Sequence, residues 1–172
     1  MTSDTESIKV YASQTKDKEL LLASSSGGVA THIMKECLRQ GYKIIGVKYD
    51  TDLDIAIDCI AGNEEEIQTF KGSKYMQSYT EKAFKELLKD KTEQKYAIFG
   101  TPCQIYAFSR YIKQSKNEDR FLLVDLFCHG CPSMHLWTRY LQSVKENLNV
   151  TKFDKIEFRS KIHGWHEFSH YF

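Results

Sequence analysis

Two strand-to-helix junctions of one design constrain this chain more than any other feature. The first is Ala97-Ile98-Phe99-Gly100-Thr101-Pro102-Cys103-Gln104. The second is Leu122-Leu123-Val124-Asp125-Leu126-Phe127-Cys128-His129-Gly130-Cys131-Pro132-Ser133. Each is a short apolar run, read as a buried strand, that ends in a cysteine-bearing turn and opens a helix. In a parallel sheet such turns line up along one edge, where open α/β folds place their ligands. A helix N-terminus presents unpaired N–H groups and a partial positive charge, which favours a thiolate. Two such cysteines at one edge point to redox or iron–sulfur chemistry.

The rest of the chain alternates in the same way. Ile8 to Ala12 reads as an edge strand after a disordered tail over residues 1–7, and residues 8–172 read as a single α/β domain. Val29, Ile33 and Cys37 recur every four residues, with Ser26 as N-cap and Gly41 as stop, which predicts a helix. Lys43–Tyr49 reads as a strand. Leu53–Ile60 reads as a half-exposed strand, with Ile55, Ile57 and Cys59 on its apolar face and Asp54 and Asp58 on the polar one. Asn63 and Glu66 open a short helix ending near Phe70, Lys71–Ser78 is a polar loop, and Thr80 opens a helix with an Ala83, Phe84, Leu87, Leu88 stripe. Thr101 caps the next helix with Pro102 at its first position. Strands are expected at Lys95–Phe99, Phe121–Phe127, Phe153–Phe158 and Phe168–Phe172, and Ser133 starts a long helix. The class is α/β: a mostly parallel sheet flanked by helices, with one antiparallel hairpin element at 43–60.

At 172 residues the chain buries enough surface to need no disulfide staples. With 24 basic and 23 acidic side chains the net charge is +1, which offers nothing to nucleic acid or an acidic membrane surface. No apolar run approaches the ~18 residues of a membrane span. Five cysteines, one of them (Cys37) within a helical pattern, fit a reduced, cytoplasmic location better than a disulfide framework.

Four stretches carry chemistry, and each has a plainer reading. Ser24-Ser25-Ser26-Gly27-Gly28 opens a helix, where small residues let an anion approach backbone N–H groups; the alternative is an ordinary capped helix. Gly72-Ser73-Lys74-Tyr75 pairs a cation for a phosphate or flavin with an aromatic for stacking; the alternative is a solvated loop. Cys103 sits at a helix start, or merely packs. Cys128-His129-Gly130-Cys131 is a C-x-x-C that serves a redox dithiol, half a zinc site or a cluster. His163, His166 and His170 do not match a zinc-finger spacing. Cys37 and Cys59 read as core residues.

Taken in order, Ser25-Ser26-Gly27-Gly28, Gly72-Ser73-Lys74-Tyr75, Gly100-Thr101-Pro102-Cys103-Gln104, Val124-Asp125-Leu126-Phe127-Cys128-His129-Gly130, Pro132-Ser133, Phe158-Arg159 and Gly164-Trp165 resemble the coenzyme F-420 hydrogenase/dehydrogenase beta-subunit family over residues 8–172. The resemblance implies an iron–sulfur flavoprotein that holds FAD beside a 4Fe–4S cluster. Its electrons would pass to a deazaflavin or nicotinamide-like coenzyme, or to a redox partner protein. It implies Ser26, Gly27, Gly28, Ser73, Lys74, Tyr75 and Thr101 as flavin contacts and Cys103 and Cys128 as cluster ligands. It also implies a chain lacking about half the family's length, without the remaining cluster cysteines. The other readings are a thiol–disulfide oxidoreductase using Cys128 and Cys131, and a non-catalytic α/β module.

Overall fold

The computed structural model describes residues 9–114, 118–164, 166–167 and 169–172. The expected tail over 1–7, Ile8, Trp165 and Phe168 lie outside them. The first element is one that the apolar run Leu20-Leu21-Leu22 conceals. It is a short helix α1 (Lys18–Ala23), started by the Asp17 carboxylate, which accepts the Glu19 and Leu20 N–H groups at 2.9 and 3.1 Å. Helix α2 (Val29–Arg39) follows, then the strands β1 (Tyr42–Asp50) and β2 (Ile55–Ala61). After them come α3 (Glu64–Gln68), the two-residue strand β3 (Ser78–Tyr79), α4 (Glu81–Lys89), β4 (Lys95–Gly100) and α5 (Pro102–Ile112). The chain continues through β5 (Phe121–Asp125), α6 (Met134–Leu148), β6 (Glu157–Ser160) and β7 (Ser169–Tyr171).

The main sheet has the order β3-β2-β1-β4-β5. β1 pairs parallel with β4, β4 with β5, and β2 with β3, whereas β1 and β2 run antiparallel. This is the expected α/β sheet, with its antiparallel hairpin at 43–60. β6 and β7 form a second antiparallel pair. Residues 44–47 of β1 and 96–99 of β4 are continuous apolar runs because helices cover both faces of the sheet there. Side chains alternate across a strand. Ile44, Ala97 and Phe99 therefore meet Met34 and Cys37 of α2, while Ile45, Tyr96 and Ile98 meet Ala83, Leu87, Phe108 and Ile112 of α4 and α5. A third cluster joins Trp137 and Leu141 of α6 to Ala56, Met76, Phe153 and Phe158.

Several local expectations are corrected. Lys9 to Ala12 form no strand, and Val10 and Tyr11 are exposed. The N-cap of α2 is Gly28 at φ 75°, not Ser26, because the chain enters the helix through a left-handed residue. The Phe121–Phe127 strand ends at Asp125, which leaves Leu126 and Phe127 exposed. The expected Phe153–Phe158 strand forms at Glu157–Ser160, and Phe153 and Ile156 instead pack ahead of it into the α6 cluster. On β2 the buried face is inverted: Ala56 and Asp58 are buried, whereas Ile55, Ile57 and Cys59 are only half-buried. The reason is that the Asp58 face turns toward α4 and α5, where polar side chains receive the carboxylate.

Gly46 of β1 lies under the Phe70 ring. A Cβ there would stand 2.6 Å from Phe70 Cδ2. Gly46→Ala should therefore destabilise the chain by about 1–3 kcal/mol in urea unfolding. Phe70→Leu in the same chain should recover part of that loss. Equal stability of Gly46→Ala and the unmodified chain would contradict this packing.

Candidate functional site

The register of the sheet aligns the two cysteine junctions. Gly100 of β4 pairs with Asp125 of β5, and the Leu126 N–H donates to the Gly100 carbonyl at 3.0 Å. Cys103 and Cys128 each follow their paired residue by three positions, so both lie at one sheet edge. Their settings differ. Cys103 occupies the first turn of α5, with its Sγ 3.2 Å from Thr101 Oγ1. Cys128 is not at a helix start: the chain runs on to Ser133, the N-cap of α6, before a helix begins. The Cys128 sulfur instead accepts the Gly130 N–H at 3.3 Å. Cys103 therefore sits at a helix start and Cys128 does not. Cys103, Cys128 and Cys131 are exposed, free thiols; Cys37 is buried and Cys59 half-buried.

The start of α5 is tied to the sheet by Gln104. Its Oε1 accepts the Thr101 N–H at 2.9 Å and the Thr101 hydroxyl at 3.0 Å. Its Nε2 donates to Ser78 Oγ at 2.8 Å and reaches Asp58 Oδ2 at 3.5 Å. The Asp58 residue is 3% exposed, and its Oδ1 has no hydrogen-bond partner among the described residues. Burial raises its carboxyl to about 6, against a smaller opposing effect of the Ser78 hydroxyl.

A separate cleft gathers the other motifs. The Ser73 N–H donates to the Ser25 hydroxyl at 2.7 Å, which joins the serine–glycine loop to the Gly72–Tyr75 loop. The Lys161 ammonium donates to the Leu21 carbonyl at 2.7 Å and lies 3.5 Å from that of Ser26. Between these segments is a cleft of about 770 Å³ lined by Ser25, Tyr49, Gly72, Ser73, Lys74 and the strand region from Asp154 to Ile162, among others. Five basic side chains (Lys71, Lys74, Lys155, Arg159, Lys161) line it against three acidic ones (Glu19, Asp154, Glu157), which favours an anion. One wall is aromatic: Tyr49 meets Phe158 edge-on at 5.4 Å and Trp137 at 6.1 Å, and the Trp137 indole N–H donates to its hydroxyl at 3.3 Å. Lys74 donates to the Thr69 and Lys71 carbonyls at 3.1 and 3.0 Å. Burial pulls its ammonium down to about 8, with Cys59 opposing.

Of the residues expected to touch a cofactor, Ser73 and Lys74 line the cleft. Ser26 approaches it through its carbonyl, beside Lys161. Gly27 and Gly28 face the chain itself. A Cβ on Gly27 would meet the Ser13 carbonyl at 2.8 Å, one on Gly28 would meet Thr15 Cγ2 at 3.0 Å, and the Thr15 N–H donates to the Gly27 carbonyl at 2.7 Å. Tyr75 is exposed, and Thr101 belongs to the α5 cap at the sheet edge. Sequence reasoning misses Tyr49, Lys161 and Asp58. The one nearby signal is Phe158-Arg159, a motif with no role assigned by sequence, and two positions beyond it stands Lys161.

The cleft fits a flavin dinucleotide in volume, in cationic lining and in its aromatic wall. An iron–sulfur cluster fits less well: among the described residues no group of three or more Cys, His, Asp or Glu side chains comes together. No helix among the described residues is long and apolar enough to cross a membrane.

Comparison with known proteins gives a consistent result. Two family descriptions, the N-terminal and the C-terminal part of the coenzyme F420 hydrogenase/dehydrogenase beta subunit, match residues 10–85 and 93–171 respectively. The coenzyme F420 hydrogenase subunit beta of Methanococcus voltae is 29% identical over 125 residues, covering 68% of this chain and 44% of the relative. The xenon-derivatised F420-reducing NiFe hydrogenase complex from Methanosarcina barkeri contains a chain that superposes with a TM-score of 0.61 at 24% identity. That match covers 78% of this chain and 47% of the other, and it concerns the fold. The chain spans about half the length of these relatives.

The Asp58 carboxyl makes stability depend on pH. Its folded value of about 6 lies above the ordinary carboxylate value. The unfolded chain therefore loses this proton first, and the contribution to stability falls as pH rises from about 4 to 6 and then stays constant. Asp58→Asn should flatten urea midpoints across that window and stabilise the chain at pH 7 by on the order of 2–3 kcal/mol. A midpoint at pH 7 equal to or below that of the unmodified chain would contradict the buried carboxyl as described.

Proposed function

The chain belongs to the coenzyme F420 hydrogenase/dehydrogenase beta-subunit family, and from that membership we propose that it is the flavin-holding part of a redox protein, with FAD in the cleft between the Ser25, Gly72–Lys74 and Phe158–Lys161 segments. The observation that supports this most is convergence. Motifs far apart in sequence, from both matched segments, line one cleft.

In this reading the FAD, when bound, supplies hydride and single-electron chemistry. The chain's own residues bind and orient it. Tyr49 and Phe158 offer an apolar wall for a planar ring, and their edge-on packing holds both in place. The Ser73–Ser25 hydrogen bond fixes the separation of the two loops. Lys74 has three N–H bonds, and the Thr69 and Lys71 carbonyls account for two of them. In this reading the third is left for a ligand oxygen or ring nitrogen.

Cys103 and Cys128 remain the proposed cluster ligands, at adjacent strand ends. Together they supply two thiolates, whereas a 4Fe–4S cluster takes four. A deazaflavin or nicotinamide-like coenzyme and a hydrogenase-type protein partner are the proposed electron exchangers, by family membership. The dithiol alternative is less favoured because Cys128 lacks the helix start that would activate it.

The chain incubated with FAD and desalted should retain about one flavin, seen by its visible absorption. Ser73→Trp, which fills the cleft from an exposed position, should weaken FAD at least about tenfold. Failure to retain flavin, or unchanged affinity in Ser73→Trp, would count against the assignment.

A further inference from the structure

We propose that Trp137, Tyr140 and His170 form a one-electron route from the cleft to the surface, along which the oxidising equivalent of a light-excited flavin leaves the cleft and comes to rest on Tyr140. This rests on the reading of the cleft as a flavin site and goes beyond it.

Two rings stand in the cleft lining, Tyr49 and Phe158. Trp137 of α6 packs against both, with its centroid 6.1 Å from Tyr49 and 4.9 Å from Phe158, and it is 4% exposed. Three residues on, along the same face of α6, Tyr140 stands 5.9 Å from Trp137 and is 40% exposed. His170 of β7 closes the series. Its ring lies 5.5 Å from that of Tyr140, and its Nδ1 is 3.1 Å from the Tyr140 hydroxyl. Electron transfer falls off steeply with distance, so adjoining rings carry it where a single span from cleft to surface does not.

Packing accounts for the ring contacts, and the polar partners give the series its direction. An indole N–H only donates. That of Trp137 donates to the Tyr49 hydroxyl oxygen and to the Asp54 carbonyl, each at 3.3 Å. Two oxygens there stabilise an indole that has lost an electron. A phenol that loses an electron must also lose its proton, and Tyr140 has an acceptor for it. Burial lowers the pKa of His170, so its ring is neutral at pH 7 and Nδ1 accepts the Tyr140 O–H. The other ring contacts among the described residues, of Phe84 with Phe108 and Tyr111 and of Tyr96 with Phe121, contain neither tryptophan nor histidine.

The excited flavin takes one electron from the Trp137 indole, which keeps its N–H. Tyr140 then returns one electron to Trp137, its O–H bond breaks, and the proton passes to His170 Nδ1. The net change is one electron gained by the flavin, one lost by Tyr140, and one proton moved from Tyr140 to His170. A thiol in solution restores Tyr140: it supplies the electron and loses its own proton to solvent, and His170 hands its proton back.

The experiment illuminates the whole FAD-loaded chain with blue light, freezes it and reads the radicals by electron paramagnetic resonance. The unmodified chain should give a tyrosyl radical. Tyr140→Phe and His170→Phe should remove it and leave a tryptophan radical, and Trp137→Phe should remove both. Folding of each variant is judged by its urea midpoint, and exposed Tyr140 decides the question where Trp137→Phe fails to fold. A second arm supplies the oxidant without FAD retention: a thiol-reactive flavin is attached at Ser73→Cys in a chain that also carries Cys103→Ser, Cys128→Ser and Cys131→Ser. A Tyr140-dependent radical from the attached flavin, in a chain that retains no FAD, would support the route and refute the flavin reading. Retained FAD with an equal tyrosyl radical in Tyr140→Phe would do the reverse. No Tyr140-dependent radical in either arm would overturn the route.

Discussion

The hydrogen bond from the Ser73 amide to the Ser25 hydroxyl spans 48 residues of sequence, and the shape of the cleft depends on it. It joins the loop after α1 to the loop after α3 on one side of the sheet. The serine–glycine loop is fixed on two further sides. The Thr15 N–H holds the Gly27 carbonyl, and Lys161 holds Leu21 and Ser26. Gly27 has no side chain because the Ser13 backbone already occupies the space a Cβ would need. The glycines therefore serve the shape of the loop, and the loop serves the cleft. In the proposed reading, a ligand would meet the serine side chains and the lysines rather than a bare glycine turn.

The second constraint is the sheet register, which places Cys103 and Cys128 at one edge. That edge and the cleft are organised differently. The edge is exposed and ends in free thiols, with a half-buried polar chain beneath it running from buried Asp58 and Ser78 through Gln104 to Thr101. The unsatisfied Asp58 oxygen is costly in an apolar setting, and the carboxyl responds by holding its proton to a higher pH. The cleft instead has hydrogen-bonded cations along its wall.

Much of the fold is legible where local chemistry decides it. Thr101, Pro102 and Gln104 form the expected cap of α5, Asn63 starts α3 by accepting the Glu66 N–H, and Gly41 ends α2. These signals lie within a few residues of what they control. The β2 face misleads for the opposite reason. Isoleucines at alternate positions mark the apolar side only when the covering helices are apolar throughout, and Gln104 and Ser78 make a polar seat for Asp58. At the site, the loops are visible as motifs and their meeting is not. Lys161 acts on carbonyls 140 residues away, and no pattern near it records that distance. Tyr49 looks like one more strand residue until the fold sets it against Phe158.

Hydrogen–deuterium exchange of the whole chain with and without FAD tests the central claim most directly, because it reads the three walls of the cleft separately. The account predicts slowed exchange on FAD addition in residues 19–26, 68–74 and 154–162 together, with the α6 groove around Asp54, Thr138 and Lys145 unchanged. Protection confined to one of the three segments, or centred on the α6 groove, would contradict it.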